Sequence, residues 1–202
     1  METNGTSKIK REILVTGFGG QGIVLAGQVL GTAACLQDHM ESTLTQSYGP
    51  EARGGACSAQ VIISDKPIHY PYVCHPDILV CMSQAGYDKY GSLLKEDGIL
   101  IIDQDMVRSL GYAGGGVFPI RATRIAEELG SKMMANVVIL GFITSITAAV
   151  SRDGMLASVA DLVPRGTEAA NTAAFNRGYD FGQALLKARQ KKAAANKKEG
   201  DS

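Results

Sequence analysis

The spacing of apolar residues changes several times along this chain, and each change marks an element. Residues 12–16, EILVT, form a short aliphatic and β-branched run of the kind strands favour. After a glycine cluster, Ile23, Leu25, Ala26, Val29, Leu30 and Ala33 recur at helical spacing, so strand, tight turn and helix follow in order. Further strands are predicted at residues 40–45, 56–64, 77–82 and 97–103, with a helical segment at 84–95 between the last two. Gly114 to Gly116 punctuate a loop before VFPI, and the remainder reads as helical: residues 122–130, an apolar stretch at 133–150, and a last helix at about 167–189. Alternating strands and helices specify an α/β fold, here a single Rossmann-like domain with a mostly parallel, helix-covered sheet and a helical C-terminal part. Residues 11–190 make the domain, between a flexible N-terminus at 1–10 and a basic flexible tail at 191–202.

The apolar stretch 133–150 approaches the length of a membrane span, but Asn136, Thr144, Ser145 and Thr147 interrupt it. It reads as a buried helix that is apolar on most faces and therefore covered on more than one side, with a subunit interface as the expected cover. The opening METNGTSKIKR lacks the apolar centre of a signal peptide, which makes the cytoplasm the default location.

With 202 residues, 45% of them apolar, the chain can bury one good core. Twenty Lys plus Arg balance twenty Asp plus Glu, so no basic field points to nucleic acid. Cys35, Cys57, Cys74 and Cys81 form no CxxC pair and no ferredoxin-like run, and they read as free buried thiols, not as cluster or zinc ligands. His39, His69 and His75 have no partner at ligand spacing. No GxSxG, HExxH or P-loop pattern is present in the sequence.

Two loops carry candidate chemistry. Gly17-Phe18-Gly19-Gly20-Gln21-Gly22 satisfies G-x-G-x-x-G between a predicted strand and a predicted helix. In that reading Gly17 permits the tight turn, Gly19 lets a ligand approach the backbone, Gly22 lets the helix pack on the strand, and the helix N-terminus favours an anion. A nicotinamide dehydrogenase would also carry an acidic residue at the end of the second strand, where this chain has Thr45, Gln46 and Ser47; Asp38 and Glu41 fall at the wrong end. The second loop, SYGPEARGG from Ser47 to Gly55, follows that strand and offers Glu51 and Arg53 on a backbone constrained by Pro50 and glycines. Gly17, Gly19, Gly20, Gln21, Gly22, Ser47, Glu51, Arg53 and Gly54 are the candidate site residues.

The paired motifs GFGGQGI and SYGPEARGG, followed by DILVCMSQAGYDKY, GILIID and AFNRGYDFG in this order, resemble the gamma subunits of 2-oxoacid:ferredoxin oxidoreductases from about residue 11 to 186. The resemblance implies a subunit that is inactive alone. The whole enzyme decarboxylates a 2-oxoacid on thiamine diphosphate, passes electrons through iron–sulfur clusters to ferredoxin, and releases an acyl-CoA. Thiamine diphosphate and Mg would lie in alpha and beta partners, and the clusters in beta or a ferredoxin-like delta subunit. This chain would cap the active site and help bind coenzyme A through its two loops. The short form with SYGPEARGG resembles the 2-oxoglutarate type most; pyruvate and branched-chain 2-oxoacid forms, or a free-standing Rossmann-type nucleotide-binding oxidoreductase, are the alternatives.

Overall fold

Which strand takes the middle of the sheet follows from which strand is apolar on both faces. The computed structural model describes residues 9–47, 56–108 and 116–200, with side chains through 195. Its six strands are β1 (Lys10–Phe18), β2 (Glu41–Ser47), β3 (Ala56–Ser64), β4 (Ile78–Cys81), β5 (Ile99–Asp103) and β6 (Val117–Ile120), in the order β2-β3-β1-β4-β5-β6. β3 is buried at eight of its nine positions and lies inside; β2, ESTLTQS, is half-exposed and polar and lies at the edge. Strands β1, β4, β5 and β6 are mutually parallel, while β3 runs antiparallel to both β1 and β2. The sheet is thus mixed but mostly parallel. It differs from a plain Rossmann order in that the β2–β3 hairpin places a reversed strand beside β1.

The other edge, β6, is shielded. Pro119 has no amide to offer, Arg189 donates to the Val117 carbonyl, and its guanidinium lies 4.0 Å from the Phe118 ring centre.

Alternation along β1 sends Ile13 and Val15 into the larger core and Leu14 into the smaller one on the opposite face. Helix α2 (Gln84–Tyr90), capped by the Ser83 hydroxyl, covers the smaller side and ends in a tight turn at Gly91–Leu93. The larger side is covered by α1 (Ile23–Thr32), α3 (Ala122–Glu128), α4 (Ala135–Thr147), α5 (Arg152–Leu162) and α6 (Glu168–Gly200). Helix α1 runs on into a π-helical turn, Ala33–Gln37, and α6 continues through the basic stretch to Gly200. At the end of β5 the buried Asp103 carboxylate accepts from the Thr123 amide and hydroxyl at 2.9 and 2.6 Å, tying α3 to the sheet.

Helix α4 is buried from Ala135 through Ser145. Its cover is not the subunit interface expected from the sequence: α1, α3, α5 and above all α6 of the same chain enclose it. Its crossing with α6 is close enough to need glycine on both sides. A Cβ on Gly141 would lie 1.9 Å from the Phe175 carbonyl oxygen, and one on Gly178 would lie 1.9 Å from that of Val138. Helix α4 ends at Ala148, which holds a left-handed φ of 48°. Among the described residues no helix is long and apolar enough to cross a membrane.

The thiols also differ from expectation. Cys57 and Cys81 are buried on inner strands, but Cys35 and Cys74 are exposed, because the turns that carry them lie outside the packed layers.

Candidate functional site at the β1–α1 turn

β1 and β2 both run antiparallel to β3, so they point the same way and end at one sheet edge. Phe18 pairs with Ala56 and Ser47 with Ser58, which brings the β1–α1 turn and both ends of the β2–β3 connection to that edge. Glu41 lies across from Ser64 at the opposite edge, and Asp38 is engaged with the Ser151 amide and hydroxyl at 2.7 and 2.5 Å. Neither can face a ligand at the glycine turn. Glu51, Arg53 and Gly54 lie outside the described residues.

The glycines divide the work differently from the sequence reading. The turn itself falls on Gly20 (φ 91°) and Gly22 (φ 70°), whereas Gly17 still belongs to β1. A Cβ on Gly17 would meet Gln21 Oε1 at 2.4 Å and Ile23 Cδ1 at 2.7 Å, so Gly17 makes room for the turn behind it. Gly22 leaves space not for the strand but for Asn136 of α4, whose Nδ2 would lie 2.3 Å from an added Cβ. Gly19 and Gly20 have nothing within 4 Å on that side, which leaves the backbone there open to an approaching group.

Gln21 braces the turn from within. Its Oε1 accepts from the Phe18 amide at 2.6 Å and its Nε2 donates to the Met82 carbonyl at 3.1 Å, joining the turn to the end of β4. Ser47, at the end of β2, lies two strands away from β1 and is not among the residues lining the cleft. Gly19, Gly20 and Gly22 do come together, along one wall of a cleft of about 720 Å³. The other walls come from α4, α6 and the connections before them, with Met134, Asn136, Val163 and Asn171 among the lining side chains.

Helix α1 opens on this cleft with no side-chain cap and no acidic residue in its first turn. Its first internal bond is Ala26 N–H to the Gly22 carbonyl, so the amides of Ile23, Val24 and Leu25 have no acceptor within the helix. Three unpaired amides at a dipole's positive end favour an anion. Asn136, only 2% exposed, donates Nδ2 to the Gly22 carbonyl at 3.2 Å, while its Oδ1 is buried without a hydrogen-bond partner. The cleft therefore offers donors at one end, apolar walls along it, and Asn136, with its unused buried acceptor, among its lining residues. That combination suits a long ligand with an anionic end and an amide-bearing arm. Sequence reasoning singled out Asn136 only as a polar break in an apolar helix; that break was the one available signal.

Cys57 also lines the cleft, and burial raises its thiol pKa, which keeps it protonated. Among the described residues no group of three or more His, Cys, Asp or Glu side chains comes together as a metal site.

Comparison with known proteins places this architecture. The family model for pyruvate ferredoxin/flavodoxin oxidoreductase matches residues 12–181. The 2-oxoglutarate synthase subunit KorC of Methanocaldococcus jannaschii is 48% identical over 181 residues, which cover 88% of this chain and 97% of that protein. The crystal structure of the keto/oxoacid ferredoxin oxidoreductase gamma subunit from Geobacter sulfurreducens superposes with a TM-score of 0.77 at 36% identity, covering 86% of this chain and 99% of that one. The 2-oxoglutarate:ferredoxin oxidoreductase of Magnetococcus marinus, solved with 2-oxoglutarate, coenzyme A and succinyl-CoA bound, also reaches 0.77, over 87% of this chain and 31% of that one. At 22% identity this last likeness speaks to the fold alone. On the family match and the end-to-end relative together, the chain belongs to the pyruvate ferredoxin/flavodoxin oxidoreductase family.

Proposed function

We propose that this chain is the gamma-type subunit of a 2-oxoglutarate synthase, working in the cytoplasm and only within a complex. The enzyme would convert 2-oxoglutarate and coenzyme A to succinyl-CoA and carbon dioxide, passing the two electrons released to ferredoxin. The observation that carries this reading is the 48% identity to a 2-oxoglutarate synthase subunit along nearly the full length of both chains. Alpha and beta subunits would hold thiamine diphosphate with Mg, and beta or a ferredoxin-like delta subunit the iron–sulfur clusters; those groups supply decarboxylation and electron transfer.

This chain's own part is to receive coenzyme A in the cleft at the β1–α1 turn. The open backbone at Gly19 and Gly20 and the free amides of α1 fit its phosphates, and the apolar walls fit its arm. Ser47, Glu51, Arg53 and Gly54 join this proposal from the sequence, with Arg53 as a further phosphate partner.

The test is purification of the chain from its native cells by a tag, identification of the co-purifying chains, and assay of coenzyme A-dependent viologen reduction with several 2-oxoacids. Activity with 2-oxoglutarate in a complex containing thiamine-binding partners is the expected result. Preference for pyruvate or a branched-chain acid would overturn the substrate, and no 2-oxoacid activity in any fraction would overturn the reading.

A further inference from the structure

We infer that Asn136 is a positioning and specificity residue of the cleft, its Oδ1 accepting an amide N–H from the arm of coenzyme A; this rests on the coenzyme A reading above. Helix α4 brings Asn136 against the glycine turn, where its Nδ2 is held by the Gly22 carbonyl at 3.2 Å. That bond fixes which way the side-chain amide faces, since a flip would set oxygen against oxygen. Oδ1 is left buried and without a donor. A buried acceptor without a donor destabilises the ligand-free chain, and a ligand donor would remove that cost.

The chemistry of the neighbours selects the donor. A phosphate brings only acceptor oxygens at neutral pH and belongs with the amides of Ile23, Val24 and Leu25. An ammonium or guanidinium would have no carboxylate to meet, because the first turn of α1 carries no acidic side chain. A neutral amide N–H flanked by methylene and methyl groups fits Asn136 Oδ1 together with the apolar walls at Met134 and Val163. The pantetheine arm of coenzyme A is such a group.

The experiment uses the complete complex carrying Asn136→Ala in this chain. It compares the affinity for coenzyme A with that for the ADP portion of coenzyme A, which keeps the phosphates and has no amide. Loss of one hydrogen bond to the arm should weaken coenzyme A about tenfold and leave the ADP portion unchanged. Asn136→Leu, of similar size, gives the same comparison if the alanine variant does not assemble. Equal weakening of both ligands would show that Asn136 only shapes the Gly22 turn, and no change in either would show that it does not face the ligand; each result overturns the inference. Gly19→Asp in the same complex should weaken both ligands. If it does and Asn136→Ala does not, the assignment of Asn136 alone fails; if neither variant matters, the coenzyme A reading fails as well.

Discussion

The same substitution, glycine to alanine, should have opposite effects at two helical positions of this chain. In α4, a Cβ on Gly141 would sit 1.9 Å from the Phe175 carbonyl oxygen of α6, where ordinary contact begins at 3.4 Å. Both groups are backbone of buried helices, so no side chain can swing away; α4 and α6 must part by up to about 1.5 Å. A gap of that size forfeits much of the dispersion energy along the largest helix–helix contact of the fold, and a cost of about 3 kcal/mol is expected. For a chain of this length that lowers Tm by roughly 6–12 °C. In α1, a Cβ on Gly31 would meet only Ser42 Oγ at 3.6 Å, and the residue has an ordinary helical φ. There alanine should stabilise by about 0.5–1 kcal/mol, through a less flexible unfolded chain and better helix propensity. Circular dichroism melts and urea titrations of the full chain check both values. Equal midpoints for Gly141→Ala and Gly31→Ala would refute the claim that the α4–α6 approach is closed to a methyl group.

Ala148→Gly should raise stability by about 1 kcal/mol, since alanine there holds a left-handed φ of 48° that glycine adopts freely; a higher urea midpoint is the readout. Burial works against the charge on Lys95, but hydrogen bonds and charges from Asp77 and then Glu12 outweigh it and hold its pKa above the ordinary lysine value of 10.5. Because the folded value is the higher one, this contribution is complete below the ordinary lysine value and fades as pH rises through the raised one, so the stability gap between wild type and Lys95→Met should narrow progressively as the pH is taken above 10.5. Burial, and after it the charge of Asp88, pushes the Cys81 thiol far up, and burial also raises Cys57; iodoacetamide should therefore modify Cys35 and Cys74 of the folded chain and spare the other two, as mass spectrometry would show. Gln21→Ala should cost about 1–3 kcal/mol and speed amide exchange at Phe18, because it removes the bonds to the Phe18 amide and the Met82 carbonyl.

Where a segment's own composition decides its structure, the sequence was legible. Residues 56–64 form a strand with the expected ends, because an apolar run bounded by glycines and a charged turn can do little else. The order of the strands was not legible. Nothing local to ESTLTQS says that its neighbour is β3 and not β1; that choice belongs to the hairpin return and to the greater apolar burial of β3. The glycine motif marks the β1–α1 turn but not the division of work within it, since Gly17 and Gly22 are required by Gln21, Ile23 and Asn136, contacts that exist only after the chain has packed. That α4 is covered on several sides is legible in its sequence, but that α6 provides most of the cover is not: the small residues Gly141, Gly178 and Gly182 that admit α6 look, in the sequence, like weak points in two helices.

The contact between those glycines has a consequence at a distance. Asn136 stands five residues before Gly141, and Asn171 seven residues before Gly178, so both cleft side chains lie on the order of 10 Å along rigid helices from the point where those helices touch. The contact behaves like the pivot of a pair of calipers, and the gap at the open end is set by how closely the arms meet there. The bore of the cleft is therefore written in residues that do not line it, and a single methyl group at the pivot would recalibrate it.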